Sequence, residues 1–456
     1  MHRVAEYKGL IIRGTAVHAP RRGEVQLLDD AIILVDMEGV IVSITLPADA
    51  GYARAKADHA ADSRAVTLGT GQYLLPGLID LHIHAPQWPQ LGKALHLPLQ
   101  DWLQKNTFPL EARYADLAFA RRIYASLVEA LLANGTTTAV YFATIHNEAS
   151  LALAETCLAR GQRAYVGRVA MDHPEQCPDY YRDSSAESAL AGTLDFITAV
   201  RALPGNQCGL VQPVVTPRFI PSCTDRLLEG LGRIAHDNDC SIQTHCSESD
   251  WEHRHVIDRF GRTDSEALSA FGLLTRRTVL AHSNFVGSDD LEVIRAAGSG
   301  IAHCPLSNFY FANAVFPLRG ALDKGVRVGL GTDISGGHSP SMLDACRYAV
   351  AASRALEDGV DPGLPAAERG RPGSRVDFAE AFWIATAGGA DVLDLPAGRF
   401  APGLRFDALL VDVNAPGSNI IWNDDLDSPA DVLQKIIYNA TRANIISTWV
   451  EGRRVH

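Results

Sequence analysis

Eight short runs rich in β-branched residues, each followed by a stretch of helical periodicity, constrain this chain more than any other feature of it. The runs are Gly77–His84, Thr136–Ala143, Ala164–Met171, Leu210–Phe219, Ser241–His245, Thr278–His282, Gly300–Cys304 and Val326–Asp333. Between them, segments such as 117–132 and 225–236 repeat apolar residues at helical spacing. Strands alternating with helices imply a parallel sheet covered by helices, and eight repeats suggest closure into a barrel. The ends read differently. Residues 10–17, 31–44, 403–412 and 446–455 look like strands joined by turn signals. They predict a small β-sandwich domain built from both termini, residues 1–74 plus 396–456, with a catalytic barrel of residues 75–395 inserted between them. The expected fold class is α/β, a (β/α)8 TIM barrel carrying that small appendage.

Composition narrows the function classes. The chain has 456 residues, 47% of them hydrophobic, enough apolar surface to offset the entropy of ordering it. No run approaches the ~18 apolar residues that span a bilayer. A formal charge of −12 opposes nonspecific binding to nucleic acid or to anionic membranes, so neither is an expected partner. The first residues lack the apolar core of a signal peptide, and the eight scattered cysteines contain no CxxC pair. Both features predict a cytoplasmic protein without a disulfide framework.

Several strands end in an ionisable side chain, and in a closed barrel those ends meet at one mouth. His82 and His84 alternate on one strand and so share a face. His245 ends the fifth strand, His282 the sixth and Asp333 the eighth. Imidazoles with a carboxylate suit a borderline divalent ion such as zinc or iron. An ion with water in its open position generates hydroxide near neutral pH. Glu248, three residues beyond His245, can take the proton of that water if burial raises its pKa, and deliver it to a ring nitrogen.

The runs PGLIDLHIH (76–84), THCSE (244–248), AHS (281–283), AHCPLSN (302–308) and GLGTD (329–333) resemble the amidohydrolase superfamily over nearly the whole chain. The resemblance implies a barrel of the metal-dependent hydrolase type, with His82, His84, His245 and Asp333 as metal ligands. His282 would then hydrogen-bond the attacking hydroxide, and Asp333 would pass a proton to the departing amine. Two-metal members bridge their ions with a carboxylated lysine, sometimes with a glutamate or cysteine. No lysine lies between Lys105 and Lys324, and the fourth strand has neither substitute, so one ion per chain is expected, Zn2+ with Fe2+ as the alternative.

Around that core, Gln87 with the segment 101–114, TPRF (216–219) and GTDISGGHSPSMLDA (331–345) are similar to the superfamily members that deaminate guanine. The resemblance implies guanine and water as substrates, with xanthine and ammonia released, in purine breakdown or salvage. It also implies a homodimer. Arg218 offers a fork of donors, Gln87 a donor beside an acceptor, and Phe219 a ring to stack on. Another heterocycle (8-oxoguanine, a pterin, a triazine) would change the surroundings of Gln87 and Arg218, and cyclic-amide hydrolysis would want the missing lysine. His253 and His255 read as an exposed helix face, and His303 as a pocket support.

Overall fold

The computed structural model describes residues 9–312, 314–423 and 425–456, so the first eight residues of the expected terminal domain lie outside the described residues. Eight parallel strands form a nearly closed barrel: Leu78–His84, Thr136–Phe142, Arg163–Gly167, Val211–Pro217, Ser241–Cys246, Thr278–His282, Gly300–His303 and Arg327–Leu330, hydrogen-bonded in sequence order. A short piece, Val169–Ala170, extends the third strand beside the fourth. The first and second strands are buried along their whole length. That burial is why they read as apolar runs rather than alternating ones.

Helices fill the connections. Leu117–Ala133 begins at Asp116, whose carboxylate accepts the Ala118 and Phe119 N–H groups. It buries Phe119, Tyr124, Leu127, Val128 and Leu131 on one stripe. Asp225–Asp237 is capped by the Thr224 hydroxyl in the same way. The exposed Pro/Gly-rich stretch 358–374 carries one short helical turn, Ala366–Arg369.

Two strands end more than two residues away from the sequence reading. The run 164–171 is interrupted at Arg168, whose guanidinium bonds Asn147 and Asp183. The eighth strand ends at Leu330, so Asp333 lies beyond it in a loop with φ +49°. That loop still completes the barrel wall. Asp333 N–H donates to the His82 carbonyl and His84 N–H to the Ile334 carbonyl, both at 2.9 Å.

The second sheet draws on both ends of the chain. Gln72–Pro76 runs parallel to Leu10–Arg21 on one side and antiparallel to Ala408–Asp412 on the other. Glu24–Val35 and Ile41–Thr45 extend the first flank, Ile445–Val450 and Arg453–Arg454 the second. Ile12, Ala16, Ile33, Leu74, Phe406, Leu410 and Trp449 share one core there. Among the described residues the terminal segments also carry two α-helices, Tyr52–Ala61 and Asp431–Asn439, and a 3-10 turn, Arg442–Asn444. Arg163, at the base of the barrel, pairs with Asp407 and Glu451 from this sheet's connections, and Arg163 and Asp407 are both buried.

Candidate active site

The first strand sends Asp80, His82 and His84 to the inside of the barrel and Ile79, Leu81 and Ile83 into the packed layers around it. His82, His84 and His245 bring ligand atoms within 4.8 Å of one another. His84 Nε2 and His245 Nε2 face each other at 3.0 Å. Asp333 Oδ1 is 3.2 Å from His82 Nε2 and 3.6 Å from His84 Nε2. His282 Nε2 is 3.7 Å from Glu248 Oε1 and 3.9 Å from Asp333 Oδ2. The structure therefore gathers His82, His84, His245, Glu248, His282 and Asp333 into one buried cluster. Phe142 lies against it, its ring 4.8–4.9 Å from those of His82, His84 and His245.

Protonation states follow from the outer partners. His245 Nδ1 lies 2.6 Å from the Arg218 carbonyl and must donate to it, which leaves Nε2 a bare lone pair. His282 Nδ1 lies 3.0 Å from Asn308 Oδ1, an oxygen that already accepts from Asn284, so His282 Nε2 is bare as well. Burial, then the neighbouring positive groups, holds His82, His84 and His245 far below the usual histidine pKa, so they stay neutral. His82 Nε2 has no hydrogen-bond partner. The bare Nε2 atoms of His245 and His282, turned towards the other imidazoles and towards Asp333 in a buried site, fit a bound divalent cation. Cys304 also comes within reach of His82 and His282, a neighbour its sequence spacing does not suggest.

Glu248 is buried, and its pKa is pushed well above the carboxylate range, first by burial and then by Asp333. Its main chain is fixed from both sides: its N–H donates to Glu252 at 2.7 Å and its carbonyl accepts from Asn284 at 2.9 Å. Ser247, His282 and Asp333 all take left-handed backbone conformations, at φ +46°, +68° and +49°. Such conformations cluster at sites where function over-determines the backbone.

A small cavity of about 30 Å3 opens beside the cluster, lined among others by Gln87, Trp102, Arg218, Phe219, Glu248 and Phe311. Gln87, Arg218 and Phe219 thus reach the same cleft as the imidazoles. Trp102 and Phe311 line it from two different short helical segments, Leu99–Trp102 and Asn308–Ala312, their rings 5.0 Å apart. Trp88 instead turns away and donates to Ser126. Phe108 lies under the Arg218 guanidinium at 5.1 Å.

Some residues escape the sequence reading. Asp80, deeper on the first strand, accepts hydrogen bonds from Thr332 and from the His82 N–H, and burial raises its pKa to about 7. Its signal was available, because it continues the alternation of His82 and His84. Glu111 meets both Gln87 and Arg218 and gave no such signal. His253 and His255 are half-buried rather than exposed: His253 stacks on Phe285 and lies 3.8 Å from the buried Asp264. His303 is buried against Phe316.

Comparisons with known proteins agree in kind. The sequence model of the amidohydrolase family matches residues 73–455. The chain is 38% identical over 447 residues to a probable guanine deaminase of Schizosaccharomyces pombe, covering 97% of this chain and 82% of that protein. It is 35% identical over 460 residues to a guanine deaminase of Dictyostelium discoideum, covering 98% of each. In three dimensions it is similar to the guanine deaminase of C. acetobutylicum crystallised with guanine in the active site. The TM-score is 0.86 at 29% identity, over 98% of this chain and 99% of that one.

Proposed function

The chain belongs to the amidohydrolase family, and from that premise we propose that it is a guanine deaminase, converting guanine and water to xanthine and ammonia. One observation carries the reading: the imidazole–carboxylate cluster and the Gln87–Arg218 pair share a single buried cleft. His82, His84, His245 and Asp333 would hold one divalent ion per chain, and we assign zinc from this nitrogen–oxygen donor set, with ferrous iron as the alternative. When bound, that ion would lower the pKa of a water towards neutrality.

The chain's own groups then divide the proton traffic. Glu248, with its raised pKa, takes a proton from the attacking water and gives it to the ring nitrogen beside C2. His282, bare at Nε2, accepts a hydrogen bond from the same water and so aims it. Asp333 takes the second proton and passes it to the departing amine. Gln87 and Arg218 hold the carbonyl side of guanine, and Phe219 stacks on its plane. Trp102 and Phe311 line the same cavity and would flank the purine. The rest of the proposal is a homodimer in the cytoplasm, acting in purine breakdown or salvage, with residues 75–395 as the catalytic unit and residues 1–74 plus 396–456 as its small companion.

The test is an absorbance assay of guanine conversion, run with elemental analysis on wild type and Glu248→Gln. Turnover in the variant is expected to fall by roughly 100- to 10,000-fold while metal content stays near that of wild type. Undiminished turnover would refute the proton-transfer role.

A further inference from the structure

Of the buried carboxylates with no part in that proton traffic, Glu111 touches both Gln87 and Arg218. Glu111, on the short helix Phe108–Ala112, is completely buried. Its Oε1 accepts from Gln87 Nε2 at 2.9 Å and from Arg218 Nη2 at 3.1 Å, while Oε2 accepts from Arg218 Nη1 at 2.6 Å. On its other side, Gln87 Oε1 accepts the Ser335 N–H at 3.2 Å. The Tyr181 phenol is kept protonated by burial and then by the Glu111 charge.

We propose that Glu111 is the positioning residue that decides which purine edge the pocket accepts, by locking the amide orientation of Gln87 and neutralising Arg218. The proposal rests on the guanine deaminase reading. An amide side chain can flip end for end at little intrinsic cost, and its neighbours decide which end faces where. Flipped, Gln87 would set its oxygen against the Glu111 carboxylate and its amino group against the Ser335 N–H, two repulsive pairs in a buried site. Held as it is, Gln87 keeps one N–H and one oxygen lone pair for a ligand.

A donor beside an acceptor complements a lactam edge, where C=O adjoins N–H. It mismatches an aminopurine edge, where those roles are exchanged. Arg218 has two of its five N–H groups tied to Glu111, so it offers the remaining donors without a net positive charge. The recognition wall therefore suits a neutral lactam rather than an anionic ring.

The experiment compares metal-loaded wild type, Glu111→Gln and Glu111→Asp. It measures kcat and KM for guanine, and KI for 2,6-diaminopurine, whose six-position edge has donor and acceptor exchanged. In Glu111→Gln, kcat/KM for guanine is expected to fall about a hundredfold, and the ratio of KI to KM to narrow tenfold or more. Glu111→Asp keeps the negative charge but draws both oxygens back from Gln87 and Arg218 by about one methylene. It is expected to narrow the ratio in the same direction by less. Should Glu111→Gln fail to fold by circular dichroism, Glu111→Asp decides. Losses that fall equally on guanine and the analogue, leaving the ratio unchanged, would overturn the proposal and make Glu111 a structural pair for Arg218. Wild type that releases no xanthine would instead remove the underlying reading, and the proposal with it.

Discussion

Single side chains at this site fall into those whose chemistry is announced by position along a strand and those announced only by their neighbours in space. His82, His84, His245 and His282 are of the first kind: each sits at or near the end of a barrel strand, and strand ends meet at one mouth. Glu111 is of the second kind, since its partners stand 24 and 107 residues away in the chain. Nothing in the local pattern around it distinguishes a paired carboxylate from a solvated one. The metal set leads to a direct expectation. Chelation should abolish turnover and lower stability by ~3–4 kcal/mol, as for an ion present at a hundred to a thousand times its dissociation constant. Added zinc or ferrous ion should restore both at one ion per chain. Thermal melts with and without chelator, read beside the activity assay, check this, and superimposable melts with intact activity would sink the metal assignment.

Elements carry the next layer. Thr278–His282 matches the sequence reading to the residue, and most other barrel strands agree within two residues at each end. Buried parallel strands leave continuous apolar runs that need no tertiary information to see. The eighth strand was overread for a physical reason. Val326, Val328 and Leu330 alternate as a strand does, and no charge or proline in Gly331–Thr332 marks the end of pairing at Leu330 before the chain turns left-handed at Asp333. Gly331 in that stretch is close to irreplaceable. A Cβ there would stand 2.8 Å from His82 Cβ and 2.9 Å from Cys304 Sγ. Gly331→Ala is thus expected to displace the first strand at the metal cluster. It should cost about 1–3 kcal/mol of stability and reduce metal occupancy, read by urea unfolding and elemental analysis. Full occupancy at unchanged stability would show that the strand can yield without loss.

At the scale of the molecule, the barrel and the two-ended sheet are joined by the Arg163, Asp407 and Glu451 group. Arg163→Ala leaves Asp407 buried without its counter-charge, so a loss of about 3–5 kcal/mol is expected in equilibrium unfolding. A loss below 1 kcal/mol would mean that water reaches Asp407. The sheet itself is legible as strands at both termini. Of the two helices there, Tyr52–Ala61 buries only His59 and gives little signal, whereas Asp431–Asn439 buries Val432, Leu433, Ile436 and Ile437 at a helical spacing that the sequence reading missed.

Its weaving also bears on how the protein is born. Gln72 waits for Asp412, 340 residues downstream, before that flank of its strand is filled. At roughly 5–20 residues per second, a ribosome needs about 20 s to a minute to deliver the missing neighbour. Throughout that interval the nascent chain carries an open β-edge, an invitation to the wrong partner that chaperones are placed to decline.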